Sequence, residues 1–423
     1  MIRRSLFLSV FVLFSLALTF AVGELYVRWQ GRRDVDGTFY FRGRPIRPYV
    51  IPLNGARALI DRYQHDSSGS LVYDSDLGWN NRPDVPAPGR VHGTNSFGLR
   101  ANREYSHEMR PGMFRVSMFG DSFIFGADVG LQATPAVQLE GLLKQRGLDA
   151  EVLNFGVGGF GFDQAYLHYH RDSSQFDTDV IVQGLQMENV GRDVTIFRIV
   201  SYPGTQIPFS KPRYVLRNGQ LELINHPAIP PEDVPKTLAN FRGWPLAKYE
   251  AFYAERYRKH WYSHSKLIST LVELWGARKG PWSETATDIY AVNGEAMNIT
   301  VRLLETYRDE VMRSGKPFVL IFLPRPDTIS AALTGRPDPW QPHKDRLRGF
   351  AIVDPTPRMV AYARLRGVDA LYQTQGHYTP AGYRLVAEVL AEALVQLAPR
   401  RPPHLDASIP LRSRTETGIA AAP

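Results

Sequence analysis

The chain has 423 residues, no cysteine and a formal net charge of +8. Its length suits a large α/β domain with insertions, and apolar (43%) and charged (22%) fractions of ordinary size argue against wholesale disorder. Without cysteine, disulfides, thiolate metal sites and cysteine nucleophiles are excluded. The positive charge is interspersed with acids and shows no zinc-finger, RNP or basic-zipper spacing, so nucleic acid is not an expected partner.

At the N-terminus, Arg3 and Arg4 precede an uncharged run over residues 5–23, rich in Leu, Phe and Val. As a helix it would reach about 27–28 Å, close to a bilayer core. The run predicts a single-pass anchor that leaves the rest of the chain outside the cytoplasm, in the periplasm if the host is a bacterium with its anchor in the inner membrane. Ala21-Val22-Gly23 offers a signal-peptidase alternative. Residues 24–110 are rich in Pro, Gly, Asn and Arg and are expected to be irregular. Two turn-like segments stand out there, Asp76-Leu77-Gly78-Trp79 and Asn95-Ser96-Phe97-Gly98-Leu99-Arg100.

The main domain is expected over residues 111–398. An apolar strand over 114–119 runs into Gly120-Asp121-Ser122, and Thr134-Pro135 starts a helix with Leu139, Leu142 and Leu143 on one face. A second strand, 151–154, leads into Phe155-Gly156-Val157-Gly158-Gly159 and then a helix containing Gln164, Leu167 and Tyr169. The third strand, 179–185, is a continuous apolar run that ends near Glu188-Asn189. Residues 196–288 break the rhythm and read as an inserted cap. A hairpin about Asn218-Gly219 is expected there, followed by a helix carrying Tyr249, Tyr253, Tyr257 and Trp261, whose stripe is expected to pack the cap onto the core. A helix over 295–313, a strand over 318–323, a helix over 359–366 and a fifth strand over 368–372 resume the pattern. Thr379-Pro380 opens the last helix, with Val386, Val389, Leu390, Ala393, Leu394 and Leu397 on one face. Residues 399–423 read as a disordered tail.

Strands alternating with helices predict an α/β three-layer sandwich around a mainly parallel five-stranded sheet, with its site beyond the carboxyl ends of the strands. Ser122, Gly159 and Asn189 fall at such ends, and His377 just past the fifth strand. Serine acyl transfer needs a hydroxyl nucleophile, a base and donors for an oxyanion. Ser122 supplies a hydroxyl and a backbone N–H, Gly159 an approachable N–H, Asn189 a side-chain NH₂, and His377 a base of suitable intrinsic pKa.

These four blocks resemble the SGNH/GDSL hydrolase superfamily, whose motif residues are Ser, Gly, Asn and His in that order. They read Phe119-Gly120-Asp121-Ser122-Phe123, Asn154-Phe155-Gly156-Val157-Gly158-Gly159, Glu188-Asn189 and His377-Tyr378-Thr379-Pro380-Ala381-Gly382. The resemblance implies a flavodoxin-like fold, Ser122 as nucleophile, His377 as base, and an oxyanion hole from Ser122, Gly159 and Asn189. The region of Leu77-Gly78-Trp79, Asn95 to Arg100 and the anchor also resembles membrane-attached bacterial members.

Two positions depart from the family pattern. Thr374 stands where the family carries an Asp three residues before the histidine, and Val190 follows Asn189. Either Ser122 and His377 act as a dyad, or an acid from elsewhere completes a triad; the nearest upstream acid is Asp369. The expected activity is an esterase or deacetylase acting on acylated envelope or exported carbohydrate. An O-acyltransferase using the same residues is one alternative, and an inactive carbohydrate-binding scaffold, favoured by Thr374, is another. No cofactor is expected. His168-Tyr169-His170 is not a metal pair, because residues two apart on a helix face different ways.

Overall fold

The computed structural model describes residues 2–66, 69–86, 93–278 and 288–398. The expected tail over 399–423 lies outside them. Helix α1 (Ile2–Gln30) contains an apolar stretch, Leu6–Gln30, long enough to cross a bilayer. It is followed by small antiparallel sheets and by α2 (Leu53–His65), so the region expected to be irregular contains a regular helix.

The central sheet is built from β1 (Phe114–Gly120), β2 (Ala150–Gly156), β3 (Val180–Leu185), β4 (Phe318–Phe322) and β5 (Ile352–Val353). All its pairings are parallel, in the order β5-β4-β3-β1-β2, which is the flavodoxin-like arrangement. Side chains alternate between the two faces. Phe119, Ile181, Leu320 and Phe322 enter one core with α3 (Phe162–Asp172) and α4 (Glu295–Arg313). Val116, Met118, Val182 and Ile321 enter the other with α5 (Pro135–Gln145), α6 (Thr356–Arg366) and α7 (Pro380–Val395). A period of two with both faces buried gives the three α/β/α layers.

Two expectations need correction. The fifth strand is Ile352–Val353, not 368–372; Val368–Ala370 is a 3₁₀ turn. Leu371 and Tyr372 are apolar because they pack beneath Tyr378 and Tyr383, which mimics a strand in the sequence. His377 therefore lies in a turn closed by the Tyr372–Tyr378 bridge, not directly after a strand. The expected aromatic helix in the cap is also broken: only Ala251–Arg256 is α-helical. Tyr257 is buried with Phe241 and Phe197, whereas Trp261 is 83% exposed and packs nothing onto the core. The hairpin forms as expected, Arg213–Arg217 with Gln220–Ile224, and Asn218 and Gly219 both adopt positive φ.

The residues before the sheet and the inserted segment share cores. Ala56, Ile51 and Tyr49 pack with Ile196, Phe197, Val234 and Phe241. At the base of α1, Val27 packs with Phe39, Phe41, Ile46 and Leu267. Glu24 accepts the N–H groups of Lys266 and Leu267 and the Ser265 hydroxyl, so it caps the helix Lys266–Arg278 from outside that helix.

Candidate active site

β1 ends at Gly120, and Asp121 caps the single turn Ser122–Phe125 by accepting the N–H of Phe123 at 2.9 Å. Its other carboxylate oxygen accepts from Arg192 Nη1 at 3.1 Å and from Asn189 Nδ2 at 3.2 Å. The Ser122 turn is thereby tied to the segment after β3. Ser122 is the first residue of that turn, where a backbone N–H has no partner within the helix.

His377 reaches the same place from the opposite end of the domain. Its Nε2 lies 2.9 Å from Ser122 Oγ, and its Nδ1 lies 2.6 Å from Asp128 Oδ2. With the proton on Nδ1, His377 donates to the carboxylate and Nε2 accepts from the Ser122 hydroxyl. The histidine and aspartate side chains are 22% and 27% exposed, so a substrate can reach the pair.

Sequence reasoning missed Asp128. It sits six positions beyond Ser122, in Phe125-Gly126-Ala127-Asp128-Val129-Gly130. Gly126 adopts φ 77° and Asp128 φ 65°, so the chain doubles back immediately after the Ser122 turn. Asp is among the residues that tolerate this region, at a cost on the order of 1 kcal/mol. Three ties hold the loop. Ser122 carbonyl accepts the Gly126 and Ala127 N–H groups, Gln373 Nε2 donates to the Asp128 carbonyl at 2.7 Å, and Arg100 Nη2 donates to the Val129 carbonyl at 3.2 Å. The available signal was a glycine-flanked acid close behind the serine. Thr374 and Asp369 are both exposed.

Gly159 follows β2 in a turn with φ 83°, and a Cβ there would lie 2.8 Å from Ile207. The turn is braced from below by the N-terminal region. Trp79, fully buried, donates Nε1–H to the Gly158 carbonyl at 2.9 Å, and Asn81 Nδ2 donates to the Gly156 carbonyl at 2.9 Å. Asn189 is buried and opens the short helix Asn189–Arg192, with one amide hydrogen on Asp121. Its amide carbonyl has no partner, and the amide orientation follows from the carboxylate it faces.

His168 and His170 turn to different acids, Asp172 and Glu310. Among the described residues no group of three or more His, Asp or Glu side chains converges as metal ligands would.

No family model matches the chain, and no curated protein matches it. Among solved structures it is similar to an acetyl xylan esterase at 13% identity, covering 66% of this chain and 100% of that one with a TM-score of 0.36. It is similar to a lipase/acylhydrolase from Enterococcus faecalis at 12% identity, covering 69% and 100% with a TM-score of 0.35. It is similar also to a member of the lipolytic G-D-S-L family from Veillonella parvula at 10% identity, covering 67% and 99% with a TM-score of 0.33. At these identities and scores the likeness carries no functional argument.

Proposed function

We propose that the chain is a serine ester hydrolase of the SGNH type, with Ser122 as nucleophile, His377 as general base and acid, and Asp128 as the orienting carboxylate. One observation carries this reading: the unbroken hydrogen-bond line from Ser122 Oγ through His377 to Asp128. The same line argues against an inactive scaffold, for which no such alignment would be needed.

In the reaction, Ser122 Oγ attacks the ester carbonyl while His377 Nε2 takes its proton. The carbonyl oxygen becomes an oxyanion facing the N–H groups of Ser122 and Gly159 and the Asn189 amide. Collapse breaks the bond to the alcohol, which leaves with the proton from His377, and an acyl-Ser122 ester remains. Water then attacks that ester, again through His377, and the acid departs. Asp128 keeps the proton on Nδ1 and stabilises the imidazolium that forms in each half. Asn189 and Arg192 hold Asp121, and through it the turn that carries Ser122.

The substrate class assigned with this reading is a small acyl ester on a carbohydrate of the cell envelope or an exported polymer, and what supports it is the N-terminal apolar helix, which would hold the domain beside that material. The anchor reading is supported by α1, which continues past Gly23 into a packed junction at Val27 and Glu24. On this reading α1 stays in a bacterial inner membrane and the domain works on its outer side.

The test is acetate release from acetylated xylo-oligosaccharides and from 4-nitrophenyl acetate, with mass analysis of added sugar acceptors. Free acetate that is abolished in Ser122→Ala supports the hydrolase. Acetyl groups found only on acceptor sugars would replace it with a transferase. Neither product from folded protein would overturn the reading.

A further inference from the structure

Three arginines surround the proposed site, and they differ in how their charge is met. Arg192 Nη1 is held by Asp121 and by the Phe160 carbonyl. Arg325 Nη2 pairs with Glu188 at 3.2 Å, and its Nη1 lies 3.7 Å from where a side chain on Gly376, next to His377, would begin. Arg198 has neither kind of partner.

Arg198 opens the short helix Arg198–Ser201. Its Nε is sealed from water with no hydrogen-bond partner, and no ion pair to its guanidinium forms among the described residues. That Nε lies 3.8 Å from the Cβ position of Gly159, and the guanidinium carbon lies 5.3 Å from the centroid of the Tyr202 ring. Burial, and after it the charge of Arg192, lowers Arg198 to about 9. A partly buried cation that no carboxylate pairs directly is destabilising, and an anion arriving beside it relieves that penalty; Glu188, paired with Arg325, acts on Arg198 only at longer range.

We propose that Arg198 anchors an anion subsite beside Gly159, and that the preferred substrate is an ester carrying a carboxylate on its acyl or its alcohol half. A guanidinium fork grips a planar carboxylate through two parallel hydrogen bonds. Of these three arginines, Arg198 alone is without a polar side-chain partner among the described residues, and a single fork matches a monoanion better than a phosphate dianion. Gly158 leaves its side of the approach open, since nothing lies within 4 Å of a Cβ built there. The subsite rests on the serine-hydrolase reading for its role in catalysis, while its existence as a binding site does not.

The experiment compares kcat/KM for two matched ester pairs in wild type and Arg198→Gln. One pair is an O-acetylated methyl glucuronoside and its methyl ester; the other is the 4-nitrophenyl hemiester of glutarate and the corresponding methyl diester. In one pair the wild type favours the charged member by about tenfold or more, as a charge-assisted pair of hydrogen bonds implies, and Arg198→Gln abolishes that ratio. Equal rates in both pairs, or a preference that survives Arg198→Gln, would overturn the subsite. Calorimetric titration of the acetylated methyl glucuronoside and of glutarate into Ser122→Ala, with and without Arg198→Gln, separates the two claims. Binding of either that depends on Arg198 without any ester turnover keeps the subsite and removes the hydrolase. Turnover with no charge preference and no binding removes the subsite and keeps the hydrolase.

Discussion

Two loops could supply a carboxylate to His377, and they are built differently. The loop before the histidine, Gln373 to Gly376, carries an exposed threonine at the position where the sequence resemblance led us to expect the acid. The loop after Ser122, Gly126 to Gly130, carries Asp128 in a left-handed conformation, its carboxylate 2.6 Å from Nδ1 of the imidazole. The first loop nevertheless takes part, because Gln373 donates to the Asp128 carbonyl and so holds the loop that replaced it. The comparison teaches that the requirement is a carboxylate oxygen within hydrogen-bond reach of Nδ1, not an acid at a fixed spacing from the histidine.

The largest effect should come from the group both loops serve: Ser122→Ala and His377→Ala each should lower kcat/KM on 4-nitrophenyl acetate by about 10⁴-fold or more. Asp128→Asn should lower it by about 10²–10⁴-fold while the fold is kept, since the imidazole loses its tautomer and its counter-charge. Thr374→Asp in that background should restore little, because the side chain points to solvent; recovery to wild-type rates would break the comparison. Trp79→Ala tests the opposite wall of the site. It should cost about 3–5 kcal/mol in urea unfolding, because a fully buried indole and its bond to the Gly158 carbonyl are lost together. Gln373→Leu removes one hydrogen bond to the Asp128 loop and should reduce kcat by about tenfold with KM little changed.

The smallest effect is a control away from both loops. Burial would raise Asp172, but hydrogen bonds from His168 and Arg171 outweigh it and hold the carboxyl well below the usual range. A carboxyl depressed in the folded state contributes stability that is present above the unfolded value of about 4 and is lost as pH falls below it. Asp172→Asn should therefore flatten the acid limb of stability below about pH 4, by about 1 kcal/mol, without altering turnover.

Much of this arrangement was legible in the sequence. The continuous apolar run at 318–323 and the largely apolar runs at 114–119 and 179–185 marked three inner strands, in which Arg115, Ser117 and Gln183 are buried along with their apolar neighbours. Ser122, Gly159 and Asn189 could be placed at one edge because parallel strands all end on the same side, whereas His377 was placed there after a strand that is in fact a 3₁₀ turn. The two-residue strand Ile352–Val353 was not legible, since nothing so short has a period, and Leu371 and Tyr372 imitated it. Asp128 was hidden for another reason: a lone acid in a glycine-flanked turn looks like any surface turn until the turn is seen to fold back over the histidine. The roles of Trp79 and Arg100 were equally hidden, although both stood out as large anchors in turn segments. Their partners, the Gly158 and Val129 carbonyls, are backbone atoms with no signature in the sequence.

The most direct measurement is the rate of covalent labelling by a fluorophosphonate probe, compared among wild type, Ser122→Ala, Asp128→Asn and Thr374→Ala. The account predicts rapid labelling of wild type and Thr374→Ala, slow labelling of Asp128→Asn and none of Ser122→Ala. Folded wild type that does not label, or Asp128→Asn that labels as fast as wild type, would contradict the triad at the centre of the account.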